Sequence, residues 1–162
     1  MGSLELVRLE RPRLAELDEL AAYDEEAFGH TGLRSFDIGV VSRAGAVFLG
    51  QVDGVVVGSC QLLRTWDEPG TFWIFGFYIR PGWQGQGFGR ELLRGVMDEV
   101  LRVDGSGIVM SVSPSNRAAL DLYLSFGFRV VEEIVDFYGP GEDRYLLRWD
   151  SDPEKNEVGR HA

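Results

Sequence analysis

Hydrophobic and polar positions along this chain change their period several times, and each change marks a new element. Leu4-Glu5-Leu6-Val7-Arg8-Leu9 reads as a strand, after which Arg11-Pro12 opens a helix with Leu14, Leu17, Leu20 and Ala21 at helical spacing. A short second helix is expected over 35–41. Ala46–Val52 and Val55–Arg64 are β-rich and are separated by Asp53-Gly54, a dipeptide that favours the two-residue turn of an antiparallel hairpin. Asp67-Glu68-Pro69-Gly70 is a turn, and Thr71–Ile79 is a strand too rich in aromatic residues to be exposed on both faces.

From Arg90 the period becomes helical, with Leu92, Leu93, Val96, Val100 and Leu101 recurring until Asp104-Gly105 stops the run. A strand at 108–112, a short helix at 115–126 ended by Gly127, and strands at 128–137 and 145–149 around a loop complete the chain. The order β-α-α-β-β-β-α-β-α-β-β predicts an α/β (α+β) architecture, a mixed sheet with helices packed on both faces. No repeat, low-complexity tract or interior linker interrupts it. One domain is therefore expected over 1–150, followed by a polar, disordered tail at 151–162.

Composition narrows the chemistry. The 162 residues carry 26 Asp+Glu against 16 Lys+Arg, a formal net charge of -10, and the hydrophobic fraction of 44% supports a real core. So acidic a chain is a poor match for a phosphate backbone, and no nucleic-acid partner is expected. No apolar run reaches the roughly 18 residues of a membrane span, and the start Met1-Gly2-Ser3-Leu4-Glu5 meets an acid too soon for a signal peptide. No membrane partner and a cytoplasmic location are expected. Cys60 is the only cysteine, and His30 and His161 are the only histidines, so no disulfide and no metal site are expected. Lys155, the only lysine, lies in the polar tail, which argues against a Walker or Schiff-base lysine.

The segment from Ile79 to Arg90, Ile79-Arg80-Pro81-Gly82-Trp83-Gln84-Gly85-Gln86-Gly87-Phe88-Gly89-Arg90, sits between a buried strand and a long helix. Glycines at alternating positions let the backbone approach a ligand, and the unpaired N–H groups at a helix start carry the positive end of its dipole. Such a turn binds phosphates. A dinucleotide fingerprint requires glycine where Arg90 stands, and a Walker loop requires Lys-Ser/Thr after the last glycine, where the chain has Arg90-Glu91. What remains is Gln84-x-x-Gly87-x-Gly89, which resembles the acyl-CoA pyrophosphate loop of the GNAT family of N-acetyltransferases. Asn116-x-x-Ala119-x-x-x-Tyr123 followed by Gly127-Phe128 is similar to the second signature of that family. Together the resemblance covers about residues 4–149.

That resemblance implies a central sheet of about seven strands, mostly antiparallel, splayed at strands 4 and 5 and flanked by about four helices. It implies acetyl-CoA as co-substrate, its pantetheine arm bonded by backbone groups of Phe77 and Ile79 beside Tyr78. The pyrophosphate would be held by N–H groups of Gln84, Gly85, Gln86, Gly87, Phe88, Gly89 and Arg90. Asn116 matches a residue that contacts the cofactor arm, although it also suits a helix cap, and Tyr123 matches the tyrosine that protonates the leaving thiolate. Gly76 is a candidate bulge. Arg90 and Arg94 lie one helical turn apart, where they would add charge near the phosphates or sit solvated. Cys60 reads as a buried strand residue, so direct transfer in a ternary complex is expected.

The base is less clear from sequence. Protein N-terminal acetyltransferases of the ribosomal-protein type, which the chain also resembles through 136–145, carry an acid where Ser111 stands. Glu142, Asp143, Asp136, Glu26, Tyr78 and His30 are the other candidates. The expected activity is acetyl transfer to a primary amine of a small molecule or a peptide. Alternatives are a protein N-terminal α-amino acetyltransferase, an acyl-CoA-binding regulatory module without catalysis, and a nucleotide-binding structural protein. Dimers are common among proteins of this resemblance. Charge is uneven: 14–26 and 132–143 are acidic while 80–94 is locally basic, which suggests a cationic acceptor.

Overall fold

The computed structural model describes residues 2–152 and Glu154. The expected polar tail therefore lies almost wholly outside the described residues. The elements are β1 (Glu5–Arg8), α1 (Leu14–Phe28), α2 (Ser35–Ala44), β2 (Ala46–Val52), β3 (Val55–Arg64), β4 (Thr71–Ile79), α3 (Phe88–Arg102), β5 (Gly107–Val112), α4 (Arg117–Ser125), β6 (Arg129–Ile134) and β7 (Arg144–Asp150), with a 3-10 turn at Gly29–Thr31 after α1. The strands form a seven-stranded sheet in the order β1-β2-β3-β4-β5-β7-β6. The β4–β5 pair is parallel, from Thr71↔Gly107 to Ile74↔Met110, whereas β1–β2, β2–β3, β5–β7 and β6–β7 are antiparallel. Two compact units emerge from this chain, one of residues 1–63 and 75–99, the other of 64–74 and 100–162.

In the first unit, Asp53 and Gly54 both adopt positive φ, +50° and +78°, as the twist-matched hairpin turn requires. Register then breaks between Gly50 and Gln51, since Gly50 faces Gly58 while Gln51 faces Val56, which makes Val57 the extra residue of a bulge. The bulge decides which residues share a face. Val56 and Leu63 pack with Leu9, Leu20, Ile38, Val41, Val47 and Leu49, the cluster beneath α1 and α2. Val57 instead packs with Val52, Phe88, Leu4, Ile79 and Trp83 on the α3 side. The bulge also exposes two carbonyls to one partner: the Arg80 N–H donates to Val57 O at 2.8 Å, and its guanidinium donates to Val56 O at 3.0 Å.

Several boundaries differ from the sequence expectation by a residue or more, and three of them have a cause in the structure. Helix α1 begins at Leu14 rather than Pro12, because Arg11 has φ +45° and the Glu16 carboxylate accepts the Arg13 N–H at 2.8 Å to close the first turn. Helix α2 continues three residues past Val41, as far as Ala44, where Gly45 donates to Val41 O and a Cβ on Gly45 would collide with the Leu62 carbonyl. Strand β6 stops at Ile134, short of the expected Phe137, because Asp136 sits at φ +55° and gives its N–H to the Asp143 carboxylate at 2.9 Å instead of to a ladder.

The second unit is held at one end by an ion network. Arg148 on β7 donates to both carboxylate oxygens of Glu68 at 2.7 and 2.9 Å and to Asp150, which also accepts from Arg129 on β6 at 3.0 Å. Asp150 is buried, whereas Glu68 is half exposed. Removing the buried member takes from Arg129 and Arg148 the carboxylate they share, although Arg148 keeps Glu68, so Asp150→Ala should lower the unfolding free energy by about 3 kcal/mol. Glu68→Ala should cost less than about 1 kcal/mol. Urea titrations giving equal losses for the two variants would contradict this account.

Candidate active site

The glycine loop is built as its sequence suggests. Gly82, Gly85 and Gly87 have φ of +85°, +75° and +90°, and no atom lies within 4 Å of where a Cβ on any of them would stand. The loop is pinned at both ends, by Arg80 on the β3 bulge and by the buried ring of Phe88, which meets Trp83 at 6.1 Å between centroids. Two side chains stiffen it, the Gln84 amide donating to Ile79 O at 2.9 Å and the Gln86 amide to Gly82 O at 3.2 Å. The backbone N–H groups of Gln84 through Gly89 form no bond among the described residues, while Arg90 and Glu91 donate to Gly87 O as α3 begins. Unpaired donors, positive-φ glycines and a helix N-terminus together make an anion cradle.

Arg80 does not serve that cradle. Its guanidinium stacks over the Tyr23 ring at 3.7 Å and pairs with Glu26 at 3.3 Å. The basic island expected over 80–94 therefore rests on Arg90 and Arg94.

Beside the loop, Phe77 and Ile79 are half-buried on β4, while Tyr78 between them is buried, its ring edge-on to Phe28 at 5.6 Å. On this α1 side lies a polar cluster that the sequence reading missed. Asp24 of α1 is only 1% exposed, its carboxylate accepting the Leu33 N–H at 3.2 Å and the Gln61 amide at 3.2 Å. That amide also donates to Ser59 Oγ at 3.2 Å, and its carbonyl oxygen has no partner. The Tyr78 hydroxyl is likewise buried and unpartnered, although Asp24 and Ser59 lie near enough to influence its titration. Burial pushes the Tyr78 hydroxyl above its ordinary range, which removes it as a base at neutral pH. Burial also pushes Asp24 up, to about 6. A Cβ at Gly76 would collide with Gln61 Oε1, so a side chain there would force the Gln61 amide to move.

In the second unit Asn116 caps α4, its side chain accepting the Ala119 N–H at 3.2 Å. Two turns on, Tyr123 is 5% exposed and packs against Phe128 at 5.9 Å. Ser111 Oγ lies 3.3 Å from the Tyr138 hydroxyl, and the Arg144 guanidinium stacks over the Tyr138 ring at 5.0 Å. The proposed bases of the β6–β7 loop are already engaged: Asp136 accepts from Gly141, Asp143 from Asp136, and Glu142 pairs with Arg144. His30 is exposed in the 3-10 turn, and burial pushes the Cys60 thiol up, as an inert core residue. No group of metal-ligating side chains occurs among the described residues.

Residues 9–128 match the family model described as "Acetyltransferase (GNAT) family". The chain belongs to the GNAT family of acetyltransferases. It is 32% identical over 152 residues to the N-alpha-acetyltransferase RimI of Mycobacterium tuberculosis, covering 90% of each chain. Among solved structures, Arabidopsis thaliana Naa50 in complex with a bisubstrate analogue superposes with a TM-score of 0.76 at 21% identity, over 91% of this chain and 99% of that one. A Bacillus subtilis acetyltransferase in complex with CoA gives 0.75 at 20% identity, with the same coverage. Both likenesses show the fold. As a GNAT enzyme the protein is an acetyl-CoA-dependent N-acetyltransferase, and the cradle of Gln84–Gly89 has the donor set that a pyrophosphate requires.

Asp24 gives the GNAT fold a titration of its own. An unfolded chain releases this proton near pH 4, whereas the folded one holds it to about 6. The folded state binds the extra proton between those values, so the stabilisation is complete below the unfolded value and is lost as pH rises through about 6. The unfolding free energy should therefore gain about 3 kcal/mol from this group between about pH 8 and about pH 4. Asp24→Asn should lack that component in paired urea titrations. The same pH slope in both proteins would refute it.

Proposed function

We propose that this protein, as one catalytic domain over residues 1–150, transfers the acetyl group of acetyl-CoA directly to a primary amine within a ternary complex. The observation that carries the cofactor assignment is the row of unpaired N–H donors from Gln84 to Gly89 at the start of α3. A peptide α-amino group is the acceptor to test first. The relative matched over nine-tenths of its length is an N-alpha-acetyltransferase, and Tyr138, Phe137 and Ser111 offer exposed or half-buried surface in the second unit on which a peptide can lie.

In this reading bound acetyl-CoA supplies the activated acyl group, and the chain supplies position and protons. Backbone groups of Phe77 and Ile79 align the arm and polarise the thioester carbonyl, and Asn116 adds its amide from the cap of α4. Tyr123 donates the proton that the leaving thiolate needs. Ser111 is no base at neutral pH, and the loop carboxylates are held by their own partners, so the amine enters neutral or loses its proton to solvent.

Thermal-shift measurements should show CoA stabilising the protein more than ATP or NAD does; a larger shift from either nucleotide would overturn the cofactor assignment. Gly87→Val, at φ +90°, should weaken CoA binding at least about tenfold, because a β-branched residue strains that backbone and crowds the cradle. Tyr123→Phe should lower kcat by about 100-fold while leaving the CoA dissociation constant unchanged. Turnover equal to the wild type would remove Tyr123 as proton donor, and no turnover by wild-type protein over a panel of amines and peptides would favour a regulatory acyl-CoA-binding module.

A further inference from the structure

The polar cluster under β4 contains two buried polar atoms without a partner, Gln61 Oε1 and the Tyr78 hydroxyl. Asp24, Ser59 and Gln61 are each about 1% exposed and Tyr78 is 6% exposed. Within it the Gln61 amide is the adjustable part. Its nitrogen is committed to Asp24 and Ser59, and this commitment turns its carbonyl oxygen against Gly76, where it finds no donor. An amide can be turned over at no covalent cost, but here its direction is set by the charge on Asp24. An anionic carboxylate accepts only, so it requires the nitrogen.

We propose that Asp24 is a positioning residue for acetyl transfer, acting through the amide of Gln61 on the backbone of β4 from Gly76 to Ile79. The inference rests on the preceding reading that Phe77 and Ile79 align the acyl-CoA arm. When Asp24 is protonated its hydroxyl becomes a donor; the buried oxygens without a partner are the Tyr78 hydroxyl and Gln61 Oε1, and the second belongs to the side chain whose nitrogen now faces a donor in place of an acceptor. The amide then turns over: Asp24 O–H donates to Oε1, and the amide nitrogen faces Gly76 in place of the oxygen. No bond is made or broken beyond one proton taken from solvent by Asp24. The polarity presented to β4 reverses at the residue where the strand has no side chain to absorb the change.

The groups facing Asp24 are Gln61 from β3, Tyr78 from β4 and the Leu33 N–H from the segment before α2, with Ser59 sharing the Gln61 amide. Arg80 acts on Tyr78 and is itself paired with Glu26. Tyr78 does not titrate in the same range, since burial drives it upward. Asp24 is thus the group in this cluster that changes charge near pH 6.

The test is a pH titration of the full chain, labelled with carbon-13 at aspartate and nitrogen-15 throughout, paired with steady-state kinetics. The Gly76, Phe77 and Tyr78 amide resonances should move with the midpoint of the Asp24 carboxyl carbon. Asp24→Asn, whose amide oxygen keeps the Leu33 N–H and so turns its NH2 towards Gln61 as the protonated acid does, should hold these resonances at their acid positions at every pH and lower kcat by about tenfold with the acid limb of the profile lost. Gln61→Met keeps volume and removes the amide; Asp24 should still titrate there while the β4 amides stay still. Flat β4 amides across the wild-type Asp24 transition, or β4 amides that still follow it in Gln61→Met, would sink the proposal. If the β4 amides follow Asp24 but no acetyl-CoA is turned over, the coupling stands and the functional reading fails instead.

Discussion

The burial of Phe88 governs the functional end of the first unit. Its ring fills a cluster with Val52, Val57, Leu4, Ile79 and Trp83, and because it is the first residue of α3, the same burial fixes where the helix starts. The residues before it cannot join the helix, since Gly87 and Gly85 stand at positive φ. Their N–H groups are left without a partner among the described residues, at the positive end of the helix dipole. At the other end of the loop the β3 bulge does the complementary work. By turning the Val56 and Val57 carbonyls to Arg80 it anchors the end of β4, so a segment without regular structure is held between two rigid points. An anion site made of backbone must be preorganised in this way, because no side-chain rotation can repair a misplaced N–H.

The α1 side of the same strands carries the opposite arrangement, a carboxylate buried without a cation. Apolar residues at positions 24 and 61 would pack the interface with less desolvation cost. What the polar pair supplies is direction: the Gln61 amide has one orientation while Asp24 is ionised, and the absence of a Cβ at Gly76 leaves room for its oxygen. Stability is given up to define how β4 is contacted.

How far these features were legible in the sequence depended on whether they were local. Asp53-Gly54, the glycine loop and the Asn116 cap each use a conformational preference encoded within a few residues, and all three stand where their residues placed them. The end of β6 was misplaced because the partner that takes the Asp136 N–H, Asp143, is on the far side of the turn. Asp24 was the costlier miss. Within Tyr23-Asp24-Glu25-Glu26 it looks like part of a solvated acidic face, yet it continues the stripe of Leu17, Leu20 and Ala21 at helical spacing, where an apolar residue belongs. A charged residue in phase with a buried stripe was the available signal. Ser59 and Gln61 gave the matching one on β3, as polar residues in a strand buried on both faces.

The same bookkeeping of partners changes what the charge of -10 says about the acceptor. In the acidic stretch of α1, Glu16 closes the first turn, Asp18 accepts from Ser35, Glu19 from Tyr23, and Glu26 pairs with Arg80. In the β6–β7 loop, Asp136, Glu142 and Asp143 bond their own turn. These carboxylates still contribute to the long-range field that draws a cation in, and salt screens that contribution over about 10 Å. They are poor candidates for direct contact, because a substrate ammonium would have to displace a bond each already makes. Electrostatics of this kind sets how fast a cation arrives rather than how tightly it is held.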